Sequence, residues 1–190
     1  MPPFEAYHGI GPAEHQLRFD DLSARGYRMI SLSIYGPPAN ARYAAVWVQL
    51  PGPQYFAFHG RTANEYQGLV NSWKARGYAP VLLSVTGGPG DAIFAGVFER
   101  ASFSWRARHG ISATQLDSEN AQAAAGGMSM RELCCYGNLA SPLFAAIWHE
   151  NPKVSSSRPV LFPLSHGTVT IFLVQFYWIS RFIHYWRHSV

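Results

Sequence analysis

The sequence has little cysteine and little charge. Its two cysteines, Cys134 and Cys135, are adjacent, and a disulfide between them is not expected because neighbouring strand residues point to opposite faces. A small scaffold held together by disulfides is therefore excluded. Charged residues make up 14% of the chain and hydrophobic residues 48%, a balance typical of a folded protein with a buried core.

Residues 1–150 also lack an excess of positive charge. They contain eleven lysine and arginine residues and eleven aspartate and glutamate residues, so the formal net charge of +4 comes from residues 151–190. A nucleic-acid-binding protein needs its basic excess on the folded unit. We therefore expect no nucleic acid partner.

Motifs of catalysis and cofactor binding are missing as well. The sequence has no Ser-x-x-Lys, Gly-x-Ser-x-Gly or Lys-Thr-Gly pattern, and it has no Cys-x-x-Cys, His-Glu-x-x-His or phosphate-binding loop. We predict that the chain as given is not an enzyme, with no catalytic residue and no cofactor. Its first residues show no basic segment followed by an apolar run, so no secretory signal is predicted either.

What the sequence does contain is a repeat. A His-Gly pair, a second glycine and an aromatic residue each occur three times, with spacings of 51 and then 50 residues. This regularity predicts a tandem repeat domain over residues 4–154, with units at 4–54, 55–104 and 105–154. The repeated positions that we assign to turns and mutual packing are Gly9, Gly26, Tyr43, Trp47, Gly60, Gly77, Phe94, Phe98, Gly110, Gly127, Phe144 and Trp148.

The pattern within each unit predicts its elements. A helix starts after the His-Gly pair, at the capping boxes Thr62-x-x-Glu65 and Ser112-x-x-Gln115 in units two and three. It ends at the second glycine, which fits a left-handed helix stop. Two strands separated by a glycine-rich turn follow, and a short strand then carries the next His-Gly pair.

One strand-helix-strand-strand unit buries too little surface to be stable alone. The predicted fold class is therefore α+β, with antiparallel sheets and a core shared between neighbouring units. In the strand after the first helix, Ile30, Leu32 and Ile34 are expected to form one buried face. In the last strand of each unit, aromatic residues flank an alanine or a glycine, which predicts that the helix of the same unit packs closely over them.

The repeated histidines His8, His59 and His109 are the candidates for a ligand site. Three equivalent imidazoles near a common axis would suit a metal ion. The favoured interpretation is structural, because no carboxylate or cysteine recurs beside them. In that interpretation each imidazole holds the turn between strand and helix, through a backbone carbonyl or the N-terminus of the following helix.

Residues 155–190 break the repeat pattern and are predicted to be a divergent apolar tail. Its apolar stretch Thr168–Ser180 has 13 residues, fewer than the roughly 20 that a transmembrane helix needs. Three interpretations stay open: the product of a shifted or unspliced reading frame, a packed terminal helix, and a membrane-surface anchor. Membrane contact is the least favoured of the three.

Several strings of the sequence resemble a known family, the bacterial tandem repeat domain. They are Tyr7-His8-Gly9, Gly26-Tyr27-Arg28, Tyr43-Ala44-Ala45-Val46-Trp47, Phe58-His59-Gly60 and Gly77-Tyr78. In that family the repeat forms the N-terminal region of fungal polyglycine hydrolases and other β-lactamase-like serine hydrolases. The resemblance implies that a separate serine hydrolase domain follows the repeats, that the proteins are secreted, and that polyglycine hydrolases cut glycine-rich linkers of plant defence chitinases.

Our first hypothesis for function is a non-catalytic accessory or binding domain of a truncated relative, which recognises a protein or polysaccharide partner or positions a hydrolase domain. A second is a fragment of an active β-lactamase-like serine endopeptidase whose catalytic domain is missing here. A third is a metal- or ligand-binding module centred on the histidines. The family resemblance implies an extracellular location.

Overall fold

The computed structural model describes residues 2–152, so the predictions for residues 155–190 lie outside the described residues. The repeats form one compact unit that ends at Pro152. Each unit consists of a strand, a helix of 13 residues and two further strands. The elements are β1 (Phe4–Ile10), α1 (Pro12–Ala24), β2 (Tyr27–Tyr35) and β3 (Arg42–Gln49), then β4 (Tyr55–Thr62), α2 (Ala63–Ala75), β5 (Tyr78–Thr86) and β6 (Ile93–Arg100), then β7 (Trp105–Ile111), α3 (Ala113–Ala125), β8 (Met128–Asn138) and β9 (Ser141–Glu150).

The three strands of each unit form an antiparallel sheet whose middle strand is the last one in sequence. The strand orders are β1-β3-β2, β4-β6-β5 and β7-β9-β8. The predicted fold class, α+β with tandem strand-helix-strand-strand units and antiparallel sheets, is thus confirmed. In the described part of the chain, no helix is long and apolar enough to span a membrane.

The helix boundaries follow the predicted signals. The Thr62 hydroxyl accepts a hydrogen bond from the Glu65 backbone N–H while the Glu65 carboxylate accepts one from the Thr62 N–H, and Ser112 and Gln115 form the same box. The glycines after the helices have φ values of +78°, +79° and +75° in units one to three, a region that an L-residue with a Cβ rarely adopts. These residues fix where each helix begins and ends.

The expected buried face of β2 is wrong at Ile30. The pairing of β2 with β3 shifts register between Met29 and Ser31, and the extra residue of this bulge, Ile30, turns outward with 50% of its surface exposed. Tyr27 and Met29 are buried in its place. The equivalent shifts in units two and three fall at Val81 and Arg131, which explains how unit three accommodates an arginine there.

The three sheets are stacked, and each helix covers part of one face. We call the face that carries the helix the front face and the opposite face the back face. Ala95 and Val97 on the back face of sheet two pack on the front face of sheet one, where Tyr43, Ala45 and Trp47 lie. The back face of sheet three packs on the front face of sheet two in the same way. The prediction of a core shared between units is therefore confirmed.

The helices pack on the aromatic residues of the last strands, but over the middle of β6 the side chain nearest to Gly96 is the Phe58 ring of β4 and not one of the helix, contrary to the prediction. His15 of α1 stacks on Tyr43 with ring centroids 4.4 Å apart, and Phe19 lies 5.6 Å from Trp47. In unit two, Tyr66 of α2 stacks on Phe94 at 4.8 Å. Each front face is thus covered partly by its own helix and, in units one and two, partly by the next sheet.

Candidate functional site

The repeated His-Gly pairs lie in the first strand of each unit, where its pairing with the middle strand shifts register. Gly9, Gly60 and Gly110 have φ values of +72°, +63° and +67°. This left-handed conformation lets the strand bulge immediately before the helix. The adjoining histidine sits on the back face, which in units two and three forms the junction with the preceding unit.

The partner predicted for these histidines is wrong. His59 is hydrogen-bonded through Nε2 to Oε1 of Gln16, and His109 through Nε2 to Oε1 of Gln67, at 2.9 and 3.2 Å. Each glutamine belongs to the helix of the preceding unit, so the imidazoles connect units instead of holding their own turn. The sequence pattern of one unit could not have predicted this contact, because the histidine and the glutamine belong to different units.

Aromatic rings surround the imidazoles at both junctions. His59 makes edge contacts with Tyr43 and His15, at 5.5 and 5.2 Å between centroids. His109 makes edge contacts with Phe94 and Tyr66, both at 5.3 Å. Burial among these rings lowers the pKa of both imidazoles, which favours the neutral form.

The structure does not bring the three candidate metal ligands together. His59 and His109 each contact a different helix, while His8 is exposed on the back face of sheet one. Residues 2–152 contain no group of three or more His, Cys, Asp or Glu side chains arranged to hold a metal ion. The geometry therefore gives the metal hypothesis no support.

The other repeated positions are mostly core. The last-strand residues Tyr43, Trp47, Phe94, Phe98 and Trp148 are at most 1% exposed, whereas Phe144 is partly exposed. The Trp148 indole N–H donates to Oδ1 of Asn120 at 3.1 Å. These side chains pack mainly against other protein groups, and Tyr43 also borders a surface cavity of about 230 Å³ next to Gly60.

Polar contacts between units also recur along the stacked strands β2, β5 and β8. The Ile34 backbone N–H donates to Ser84 Oγ at 2.9 Å, and the Cys134 thiol, at the position of Ser84, donates to the Leu83 carbonyl at 3.0 Å. Burial raises the pKa of the Cys134 thiol to about 12. The thiol is therefore a neutral donor, and its geometry fits structure better than nucleophilic chemistry.

A groove that the sequence did not predict lies where unit one meets unit two. It has a volume of about 510 Å³, within the range of about 300–1,000 Å³ typical of ligand pockets. One wall carries Arg28, whose guanidinium stacks on Tyr55 at 4.8 Å and pairs with Glu99 at 2.6 Å. The remaining lining residues are Ser23, Gly26, Tyr27, Gln49, Leu50, Pro51 and Gly52.

The groove exists because the linker after unit one does not close. In units two and three, Ala101 and Asn151 donate backbone hydrogen bonds to the carbonyls of Gly77 and Gly127, at 3.0 and 2.9 Å. No such bond joins Leu50, the equivalent residue, to Gly26 within the described structure. The linker of unit one is Leu-Pro-Gly-Pro and that of unit two is Ala-Ser-Phe-Ser. Pro51 restricts the backbone of the preceding Leu50, and both prolines have a fixed φ. The two prolines are the signal that sequence reasoning missed.

Comparison with protein families supports the resemblance noted in the sequence. A family model described as a polyglycine hydrolase-like structural repeat matches residues 1–50, 52–101 and 104–151. The three matches cover most of the 190 residues, and each coincides with one strand-helix-strand-strand unit.

Proposed function

The chain belongs to the family of polyglycine hydrolase-like structural repeats, and we propose that its repeat array is a non-catalytic domain that binds a protein or polysaccharide partner. The observation that carries the proposal is the open groove between units one and two. The recurrent residues pack between units, whereas the groove lies at a linker whose sequence differs from those of the other units. Such departures from a regular scaffold commonly carry binding functions.

The chemistry of the groove suits a polar, uncharged ligand. The Arg28 guanidinium is already paired with Glu99 and lies over the Tyr55 ring, so it offers little free charge to an anion. The Tyr55 hydroxyl donates to Ser23 Oγ at 2.7 Å, and Gln49 lies exposed at the rim. An aromatic wall with hydroxyl and amide groups fits peptide backbone or sugar hydroxyls.

The accessory part of the proposal, that the repeats position a hydrolase domain, rests on the sequence resemblance. The same resemblance supports an extracellular setting. The groove lining supports the non-catalytic part, since it holds no histidine, cysteine or carboxylate from which a nucleophile–base pair could be built.

Calorimetry with the full chain tests the binding function against a panel of glycine-rich peptides and neutral oligosaccharides. Leu50→Arg places a long cation in the groove and should weaken binding at least about tenfold, or about 1.4 kcal/mol. Asn151→Arg is the matched control, because Asn151 occupies the equivalent position of unit three, where the linker is closed. This control should bind as the unchanged chain does.

Two results would count against the proposal. Equal weakening by both arginine substitutions would remove the groove as the binding site. Release of cleaved products from a glycine-rich peptide by the purified chain would overturn the non-catalytic role and favour the endopeptidase hypothesis.

A further inference from the structure

The back faces of units two and three are buried in repeat-to-repeat interfaces. Ala95 and Val97 of unit two are 0% and 2% exposed, and Ala145 and Ile147, their equivalents in unit three, are both 0% exposed. Each back face also contributes its histidine to a glutamine of the preceding helix. The composition of these back faces therefore suits burial against the front face of a neighbouring unit.

Unit one has the same kind of back face, and nothing among residues 2–152 covers it. Ala44 and Val46 occupy the positions of Ala95 and Val97 but are partly exposed, and His8 and Ser33, which correspond to His59 and Ser84, are exposed. Together with Ala6 and Ser31 these residues line a shallow depression of about 180 Å³. Small and apolar side chains there leave room for another surface.

The front face of unit three is the complementary uncovered surface. Leu83 and Val85 of unit two are 4% and 7% exposed because unit three lies over them. Their equivalents Leu133 and Cys135 are exposed, Leu133 to 49%. The described array therefore ends in two uncovered faces whose strand positions correspond to those that meet at the internal junctions, although Arg106 and Arg108 replace Phe56 and Phe58 on the front face of unit three.

The register of the internal junctions pairs specific residues across these two faces. The offset that joins His59 to Gln16 and His109 to Gln67 places His8 opposite Asp117, which occupies the glutamine position in unit three. A carboxylate opposite an imidazole can accept a hydrogen bond from a ring N–H, as the glutamine carbonyl can at the internal junctions. Likewise, Ser33 takes the place of Ser84, whose hydroxyl accepts a backbone N–H across the junction.

We propose that the back face of unit one binds the front face of unit three in a second copy of this chain, so that the chains associate head to tail. The interface continues the register of the two internal junctions, with His8 against Asp117 and Ala44 and Val46 at its centre. A contact of this kind joins different surfaces and gives open chains or closed rings. The inference depends on repeat packing and is independent of the groove.

Sedimentation velocity of the full chain tests this association between about 1 and about 100 μM, where a weak interface changes its occupancy. The unchanged chain should show assemblies that grow with concentration. Ala44→Arg puts a charge where the internal equivalent is fully buried and should weaken association at least about tenfold. Ala24→Arg, an identical change at an exposed helix end, should associate as the unchanged chain does.

Exchanging the residues of the His8–Asp117 pair tests the same interface if Ala44→Arg fails to fold. His8→Asp alone should weaken association, because it places two carboxylates together. Mixing His8→Asp with Asp117→His chains should restore the assemblies of the unchanged chain, since one contact between unlike chains carries the exchanged pair and the other carries the original pair. A chain that sediments as a monomer throughout this range, or a mixture that associates no better than His8→Asp alone, overturns the proposal.

Discussion

Units two and three share one backbone but differ in the side chains on their front faces. In unit two, Phe56 and Phe58 of the first strand pack with α2 and with unit three. In unit three the equivalent residues are Arg106 and Arg108, which pair with Glu119 of α3 at 2.5 and 3.2 Å. Helix caps and left-handed glycines are the same in both units. Backbone signals therefore define the unit, while the packing residues depend on what covers each face.

This difference also explains why unit three looked degenerate as a sequence. Its helix carries Asn120 and Ala123 where α2 carries Val70 and Trp73, yet the helix has the same length. In the described part of the chain no further sheet covers this front face, so before association large apolar side chains there would be exposed to solvent. Polar substitutions of this kind are common in terminal repeats.

The largest effect that separates the two units is expected from removing equivalent aromatic residues. Phe94→Ala should lower the free energy of unfolding by about 3–5 kcal/mol, because Phe94 is 0% exposed and stacks on Tyr66. Phe144→Ala should cost about half as much, since Phe144 is partly exposed. Urea unfolding of the full chain measures both free energies. Equal losses would contradict the view that Phe94 is more deeply buried than Phe144.

The next largest effect is expected at the middle of the last strands. Gly96→Ala should destabilise the fold by about 1–3 kcal/mol, since a Cβ there would lie 2.4 Å from the Leu82 carbonyl oxygen and 3.0 Å from the Phe58 ring. The equivalent residue of unit three is already alanine, Ala146, which is fully buried. The reverse change, Ala146→Gly, should cost about 0.5–1 kcal/mol. A neutral Gly96→Ala variant in thermal unfolding would show that Phe58 does not press on this strand.

A third pair of substitutions should give equal effects in the two units. Gly77→Ala and Gly127→Ala each place a Cβ at a φ near +75° to +79°, and a Cβ at either position meets no other atom within 4 Å. The loss is therefore pure backbone strain, about 1–2 kcal/mol for each. Different losses in urea unfolding would contradict the view that the backbone signals act independently of burial.

The sequence predicts those features of the fold whose signals are local. A capping box such as Thr62-x-x-Glu65 and a glycine such as Gly77 act within one turn of helix, so two copies of the box and three of the glycine were enough to define the unit. The bulge at Ile30 was not predictable, because an alternating apolar pattern continues through it and only the pairing with β3 exposes it. The pairing of His59 with Gln16 was equally hidden, since it depends on how two units stack.

The candidate groove could not be predicted from local sequence patterns either. Its walls come from residues far apart in the sequence, such as Arg28, Glu99 and Tyr55, so no local pattern describes it. The signal that was present, Pro51 and Pro53 in one linker out of three, departs from the repeat instead of recurring. In a repeat protein, recurring residues identify the scaffold, and positions where one unit differs from the others identify candidate sites.

The smallest effects are expected from two titratable residues that respond oppositely to pH. Burial and, to a smaller extent, the neighbouring His59 lower the pKa of His15 in unit one to about 4, whereas burial raises the pKa of Glu132 on the back face of unit three to about 7. The folded state binds the His15 proton less tightly than the unfolded state, so stability from His15 falls as pH drops from 6.5 to 4. The folded state binds the Glu132 proton more tightly, so stability from Glu132 falls as pH rises from 4.5 to 7.

Two substitutions separate these contributions. His15→Tyr introduces the residue that unit two carries at this position, Tyr66, and its stability relative to the unchanged chain should rise as the pH falls below 6.5. The relative stability of Glu132→Gln should rise as the pH increases toward 7. The change at Glu132 should amount to about 1 kcal/mol or less, because solvent screens a partly exposed group, and the change at the buried His15 should be on the order of 1 kcal/mol. Urea unfolding at pH 5, 6, 7 and 8 measures the slope of the free energy of unfolding against pH, which is insensitive to any constant cost of the substitution.

Because the two groups lie in different units, the double variant should show the sum of the two slopes. A strongly non-additive result would mean that units one and three are coupled through unit two.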